Sequence, residues 1–227
     1  MPLPAGTSTV ESLVLDQAAT SQNGISDLVL ACLSLKSLKL NFDQTIIRVS
    51  NKELTRIPLH HATTLEELDM RFDNNAMLGF DDDVFGDGMI FLADCYRHLT
   101  KLKTLGMGLE HLFEQDAWYS MMGKDIVTSR LPNSLEYLKL YCARIPAKYA
   151  ENRQVMESGL PGIVALLEGT GPQGRLNKLK VIDAKMALFD DPGLEDISRI
   201  KTLARDRGVT FIFRDFNAPP DSDIEMS

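Results

Sequence analysis

The sequence lacks the features that mark secreted and membrane-spanning proteins. It has only three cysteines, Cys32, Cys95 and Cys142, and no Asn-x-Ser/Thr glycosylation site, as is typical of a reducing compartment. No basic segment precedes an apolar stretch near the N-terminus, and no apolar run approaches the roughly 18 residues of a membrane-spanning helix. We therefore expect an intracellular protein, cytoplasmic or nuclear, with buried, inert thiols and no membrane partner.

Positive charge is also scarce. The chain has 24 lysines and arginines against 32 aspartates and glutamates, a formal net charge of −8, whereas a protein that grips phosphate backbones presents a basic surface. Nucleic acid is therefore not an expected partner. The 227 residues are 44% hydrophobic and 25% charged, which is the composition of an ordinary globular domain with a real core.

Catalytic motifs are missing as well. The sequence contains no nucleophile-elbow serine, no P-loop and no His-Glu-x-x-His motif, so we predict no catalytic residue, no cofactor and no metal site. Because catalytic groups can be assembled from distant positions, a small α/β enzyme with coincidental leucine spacing stays open as an alternative.

Residues 81–94 resemble a calcium-binding loop that begins at Asp83 and ends at Asp94. The third position of this loop is Phe85, where calcium needs an oxygen ligand. We interpret the segment as an acidic loop whose aspartates cap the helix that follows.

Two further patterns have structural explanations. Residues 169–174 match Gly-x-Gly-x-x-Gly, but a dinucleotide site needs a strand before the glycines and a helix after them, and the predicted order here is reversed. We predict that these glycines and Pro172 form a flexible connection. Cys95 and His98 lie three residues apart on a predicted helix without a second pair of zinc ligands, so we expect a half-buried cysteine and an exposed histidine.

A six-residue pattern recurs along the chain, with apolar residues at its first, fourth and sixth positions. The copies are VESLVL from Val10, LKSLKL from Leu35, LEELDM from Leu65, LKTLGM from Leu102, LEYLKL from Leu135 and LKVIDA from Leu179. The second position is Glu or Lys in every copy, and the starts lie 25 to 44 residues apart. This spacing has room for one strand and one returning helix. We refer to the copies as repeats 1 to 6 and count positions from the first residue of each.

Each repeat predicts a short strand followed by a helix. Positions 4 and 6 point toward the helix, and positions 3, 5 and 7 point to the opposite face. Stacked in chain order, the repeats form an α/β solenoid with a parallel sheet of six or seven short strands and helices on the convex side. Helices are predicted at residues 25–33, 87–99, 160–169 and 194–208, with Gly208 as a stop, and a final strand at 209–213. The domain spans residues 9–214, and the acidic tail 215–227 is expected to be disordered.

The leucine series and phrases such as LPNSLEYLKL resemble the repeat region of fungal F-box proteins with leucine-rich repeats, over about residues 9–214. The resemblance implies an irregular leucine-rich-repeat solenoid and a role as the substrate-binding part of a ubiquitin-ligase receptor. That family usually has Asn or Cys three residues after position 6. This chain has Ala18, Asp43, Asp73, Glu110, Ala143 and Ala187 there, which favours a short, irregular arc. The residues before Val10 cannot form an F-box, so we expect an upstream domain or a partner to cap the N-terminal end of the array.

The predicted binding surface is the concave face of the sheet, formed by positions 3, 5 and 7. We predict partner-binding roles for Lys39, Asp69, Arg71, Tyr137, Lys139, Tyr141, Asp183 and Lys185. Tyr137 and Tyr141 flank Lys139, a combination that often carries binding energy in protein interfaces. Gly106 and Gly108 are expected to leave a shallow gap that a ligand side chain could enter.

These inferences together predict a non-catalytic protein–protein recognition module whose partner is a protein ligand on the strand face. The main alternative is a free-standing leucine-rich-repeat scaffold or regulator, such as an inhibitor or a GTPase-activating protein, without a ubiquitin-ligase role.

Overall fold

In the part of the chain that the structure describes, seven short strands alternate with helices. A computed structural model describes residues 4–16, 22–42, 51–72, 92–108, 111, 124–141, 159–186 and 194–213. The strands are β1 (Ser12–Asp16), β2 (Ser37–Phe42), β3 (Glu67–Phe72), β4 (Thr104–Gly108), β5 (Tyr137–Tyr141), β6 (Val181–Met186) and β7 (Thr210–Ile212). The helices of the described part are α1 (Gln22–Ala31), α2 (Asn51–Leu59), α3 (Ala93–Tyr96), α4 (Lys124–Ser129), α5 (Gly159–Glu168) and α6 (Leu194–Asp206).

The strands form one parallel sheet in the order β1-β2-β3-β4-β5-β6-β7. Position 3 of each repeat pairs with position 3 of the next, from Ser12 in β1 to Val181 in β6. The prediction that successive segments lie side by side in chain order is therefore confirmed. The helices follow the same order in part, with contacts between α1 and α2, α2 and α3, α4 and α5, and α5 and α6.

The strands begin at position 3 of the repeats and not at position 1 as the hexamers suggested. The carbonyl of position 2 accepts the N–H groups of positions 2 and 3 of the next repeat, as in the bonds of 2.8 and 3.0 Å from Lys36 and Ser37 to Glu11. The same paired bonds join every successive repeat from 1 to 6. This bifurcated contact sets the register just before regular strand pairing starts.

The core lies between the sheet and the helices. Positions 1, 4 and 6 of repeats 2 to 6 are all buried, with at most 4% of any of these side chains exposed. They join one apolar cluster with helix residues such as Ile25, Val29, Leu54, Ile57 and Ile163, so the helices cover this face of the sheet. Removing this area from water is the main stabilising term of the fold.

Three of the four predicted helices are found close to their expected bounds, as α1, α5 and α6. Of the predicted helix 87–99, residues 93–96 are helical, and residues 87–91 lie outside the described part. Helices α2 and α4 were not predicted, because α2 contains Pro58 and α4 has only six residues. The stop at Gly208 is confirmed: its φ is +69°, and the bonds from Gly208 N–H to Arg205 and from Val209 N–H to Ala204 form a Schellman motif.

The glycine segment at residues 169–174 follows a helix and precedes a strand, as predicted, but it is a packed turn and not a flexible connection. Gly171 has φ +86°, and Leu176 N–H bonds to the Gly169 carbonyl at 2.9 Å. A Cβ on Gly174 would lie 2.1 Å from that same carbonyl oxygen. Gly174 is therefore required by close backbone approach and Gly171 by its positive φ, so the segment is a defined turn where a flexible connection was predicted.

The expectations for the cysteines and for His98 are confirmed only in part, and several other predictions fall outside the described residues. Cys32 is buried, Cys95 is fully buried where half burial was expected, and His98 is exposed. No cluster of three or more metal-ligating side chains occurs in the described ranges, and none of the described helices has the length and apolar character that a bilayer crossing requires. Residues 81–91 of the calcium-like segment, Cys142, the six positions that follow position 6 by three residues, and the tail 215–227 lie outside the described part.

Candidate functional site

One face of the sheet carries the polar side chains of positions 3, 5 and 7, and we name it the strand face. All eight residues predicted to bind a partner lie in β2, β3, β5 or β6 at these positions; for Lys185 only the backbone position is described. While the opposite face is buried, most side chains of the strand face keep partial exposure, and Arg71 is exposed. This is the arrangement expected for a sheet with one face packed on helices and the other open.

On β2 and β3 the strand face is held by an ion pair. Lys39 Nζ lies 2.7 Å from Glu67 Oε1, and Ser37 Oγ donates to Glu67 Oε2 at 2.7 Å. The hydrogen bond to Glu67 raises the pKa of Lys39. Burial alone would raise the pKa of Glu67, but the bonds from Lys39 and Ser37 outweigh it and hold that pKa below its ordinary value. Lys39 is therefore already partnered within the sheet.

A second cross-strand contact joins β1 and β2. Asn41 Nδ2 donates to Asp16 Oδ1 at 2.7 Å. The amide oxygen of Asn41 is buried and has no hydrogen-bond partner among the described residues. This contact ties the first strand of the sheet to the second on the strand face.

The centre of the strand face is a bridge from β5 to β3 across β4. Tyr141 Oη donates to the carboxylate of Asp69, at 2.6 Å from Oδ1 and 2.7 Å from Oδ2. The ring passes over Gly106, where a Cβ would lie 2.5 Å from Asp69 Oδ1 and 3.1 Å from Tyr141 Cε2. The expected gap at Gly106 is therefore wrong: the glycine makes room for the protein's own tyrosine, which is only 8% exposed.

Two cations flank this bridge. The Arg71 guanidinium carbon lies 5.8 Å from the centroid of the Tyr141 ring, and Lys139 Nζ lies 5.0 Å from it, both within cation–π range. Neither cation belongs to an ion pair with a carboxylate of the described residues. Burial first, then the hydrogen bond to Asp69, raises the pKa of Tyr141, so the phenol stays neutral and keeps donating.

Tyr137 and Asp183 form a third contact, between β5 and β6. Tyr137 Oη donates to Asp183 Oδ2 at 2.8 Å. Burial, the hydrogen bond and the charge of Asp183 together raise the pKa of Tyr137 to about 12. Both tyrosines predicted as binding anchors are thus tied to neighbouring aspartates, and their hydroxyl groups are used inside the protein.

The sequence located the strand face, but not its internal bonds. It missed the role of Glu67 as the shared partner of Lys39 and Ser37, and that of Gly106 beneath the tyrosine bridge. The signal was available in the register, because aligning position 3 across repeats places Ser37 beside Glu67 and Gly106 beside Asp69. The diagonal reach of Tyr141 across a whole strand has no such signal.

A second polar row lies where the strands begin, and we name it the position-2 ladder. Its residues alternate in sign along the sheet: Glu11, Lys36, Glu66, Lys103, Glu136 and Lys180. They form three ion pairs between adjacent repeats, with N–O distances of 2.8, 2.6 and 2.9 Å. All six side chains are 40 to 71% exposed, so each pair contributes little to stability.

In comparisons with known proteins, no family model, no curated protein and no solved structure matches this chain. Its function therefore has to be argued from the strand face and its chemistry.

Proposed function

We propose that this chain is a non-catalytic recognition module, built as an irregular leucine-rich-repeat solenoid, that binds a protein ligand on its strand face. The solenoid is supported by the parallel strands in chain order and by the equivalent burial of positions 1, 4 and 6 in successive repeats. Such arrays bind partners along an extended surface and not in a closed pocket.

The observation that carries this proposal is the pair of cations around Tyr141. Arg71 from β3 and Lys139 from β5 approach one aromatic ring, while the ring itself is fixed by Asp69. Interface residues that are held in place before binding lose less entropy on association. The two cations can therefore bind a ligand carboxylate with a small loss of conformational entropy, because the Tyr141 ring that they contact is already fixed.

The charge of the face also favours a partner of mixed character. Positive and negative charges balance on the strand face. Across positions 3, 5 and 7 of the six repeats it has four basic and four acidic residues, among them Lys39, Glu67 and Asp69. The whole chain carries −8. An acidic side chain of a partner therefore meets less repulsion on the strand face than the net charge of the whole chain would suggest.

The biological setting follows from resemblance alone. Similarity to the repeat region of F-box proteins makes substrate recognition for a ubiquitin ligase the first proposal. A scaffold or regulator without that role would use the same face, so it remains the second. The small α/β enzyme has the least support, because no observation on the strand face requires a reaction.

The test uses two full-length proteins with a photocrosslinking residue, one replacing Lys139 and one replacing Arg199, which is exposed on α6. We expect a protein that crosslinks from position 139 and not from position 199. Binding of that protein to the unlabelled chain should fall about tenfold or more on Arg71→Glu with Lys139→Glu, because a charged contact is replaced by repulsion. Equal crosslinking from both positions, or unchanged affinity of the double variant, would refute the proposal.

The matched control is Lys178→Glu with Arg199→Glu, which changes the net charge equally at two exposed positions off the strand face. Circular dichroism and urea midpoints should show that both double variants remain folded. If the control weakens binding as much as the test variant, long-range charge and not the strand face is responsible.

A further inference from the structure

The N-terminal edge of the sheet is apolar and open. Position 1 is Val10 in repeat 1 and is 44% exposed, whereas the equivalent leucines of repeats 2 to 6 are at most 4% exposed. Val14 and Leu33 are 59% and 67% exposed, and Leu13 and Leu15 are only partly buried. The large hydrophobic side chains that the described part leaves exposed are all at this end.

The backbone of β1 is open on the same side. In the described residues β1 pairs only with β2. In each later repeat the N–H groups of positions 2 and 3 donate to the position-2 carbonyl of the repeat before. In repeat 1 these positions are Glu11 and Ser12, and no described carbonyl stands in front of them. They are the donors that a preceding parallel strand would engage.

The position-2 ladder shows which charge is missing there. Glu66 lies between Lys36 and Lys103, and both lower its pKa, with the hydrogen-bonded Lys103 first. Glu136 is flanked in the same way by two lysines. Glu11 has Lys36 on one side and the open edge on the other, and 57% of its side chain is exposed. A basic residue in front of Glu11 would continue the alternation.

We propose that β1 binds an extended segment of a partner protein, which adds to the sheet as a parallel strand. The segment has a basic residue level with Glu11 and apolar residues at positions 1, 4 and 6, so that it covers Val10, Leu13 and Leu15. Main-chain bonds to the amides of Glu11 and Ser12 supply the pairing, and the basic residue supplies the register. This site is the backbone edge of β1 with its helix-facing side chains, whereas the ligand proposed above binds the polar side chains of the strand face.

A second copy of the chain is the less favourable occupant. Pairing β1 with its own copy would bring two acidic Glu11-containing segments together. The other edge strand, β7, has Val209 at the residue equivalent to position 2, so it offers no positive charge either. The described edges of this chain therefore do not supply the missing basic residue.

A synthetic peptide is a direct probe, because the chain's own repeat 2 has the required pattern. Fluorescent SLKSLKLNF, identical to residues 34–42, should bind the full-length protein in an anisotropy titration at low salt. The same peptide with glutamate for the lysine at position 2 should bind about fivefold more weakly, the equivalent of about 1 kcal/mol. The preference should shrink at 0.5 M salt because the exposed charges are screened.

Two variants locate the site. Glu11→Lys should reverse the preference between the two peptides, and Glu136→Gln, an interior member of the same ladder, should leave it unchanged. Methylating the peptide amide of the residue at position 4, whose N–H faces β1 in a parallel pair, should abolish binding, while methylation at position 5 should not. Each of these variants changes an exposed side chain or the peptide alone, so the fold is kept.

No binding of the lysine peptide up to millimolar concentration would overturn the proposal. Equal binding of both charge forms, or equal effects of the two methylations, would also overturn it, since either result means loose apolar contact. If sedimentation shows a dimer that Val14→Lys dissociates, the edge is occupied by a second copy and the proposed partner strand is wrong.

Discussion

Replacing Tyr141 with phenylalanine tests whether the bridge across β4 stabilises the sheet. The change removes one hydroxyl that donates to Asp69 at 2.6 Å and keeps the ring over Gly106. Hydrogen bonds to charged groups contribute about 1.5–3 kcal/mol. Asp69 is only partly buried and regains some water when the donor is lost, so we expect the low end, a loss of about 1.5 kcal/mol in the free energy of unfolding.

Urea denaturation of the Tyr141→Phe, Asp69→Asn and double variants forms the cycle that isolates the bridge. A coupling of about 1 kcal/mol between the two positions is expected. Tyr137→Phe is the matched control, because its hydroxyl also donates to an aspartate, Asp183 at 2.8 Å, but it does not span a strand. Its cycle with Asp69→Asn should show no coupling. A Tyr141–Asp69 coupling below about 0.3 kcal/mol would mean that the bridge does not stabilise the strand face. The inference that Tyr141 is a fixed ring beneath the two cations would then be wrong.

Three further predictions concern the same fold. Gly106→Ala should cost about 1–3 kcal/mol in urea denaturation, because its Cβ would lie 2.5 Å from Asp69 Oδ1; full stability would contradict the packing at β4. Leu138→Ala, at a fully buried position of β5, should cost about 3 kcal/mol, whereas Leu13→Ala at the open edge should cost about 1 kcal/mol; equal losses would contradict the exposed N-terminal end. Burial lowers the pKa of His111 to about 3, below its unfolded value of about 6.5, so the stability it contributes is present above pH 6.5. This stability is lost as pH falls toward 3, by up to about 1.4 kcal/mol per pH unit. A His111→Gln variant should lack this contribution to the pH dependence of stability, measured as urea midpoints from pH 7 to 4.

The sheet was predictable because the spacing of the apolar residues identifies both the strand and the residue that packs beneath its entry. The leucines at positions 4 and 6, such as Leu138 and Leu140, have the period of a strand, and position 1 adds the residue that packs beneath its entry. Once these triplets were aligned, the strand order and register followed from stacking neighbours in the chain. The helices were harder, since Pro58 within α2 argues against a helix by propensity while tertiary packing of Leu54 and Ile57 requires one.

The sequence predicted where the strand face lies, but it did not predict that the tyrosine hydroxyl groups and Lys39 are bonded within the protein. The two-residue period of a strand places Tyr141 on the polar side of β5, and an exposed tyrosine side chain is the expected consequence. The glycine at position 106 reverses the conclusion, because an empty site in the middle strand lets a long side chain from β5 reach β3. The proposed binding anchors are therefore Arg71 and Lys139 in place of the tyrosines, because these two cations lie on either side of the bridge.

The position-2 ladder bears on how the repeats find their order. Each pair is exposed and contributes little to stability, yet the alternation in sign is regular across all six repeats. If a strand skipped its neighbour and paired with the next one, glutamate would face glutamate or lysine would face lysine at the point where the position-2 carbonyl sets the register. Like charges at close range oppose that arrangement, and stacking in chain order is the pairing that places opposite charges together at every step from Glu11 to Lys180. A row of weak contacts can in this way select among alternative pairings without being a main source of stability, because selection depends on the difference between the correct and the incorrect pairing.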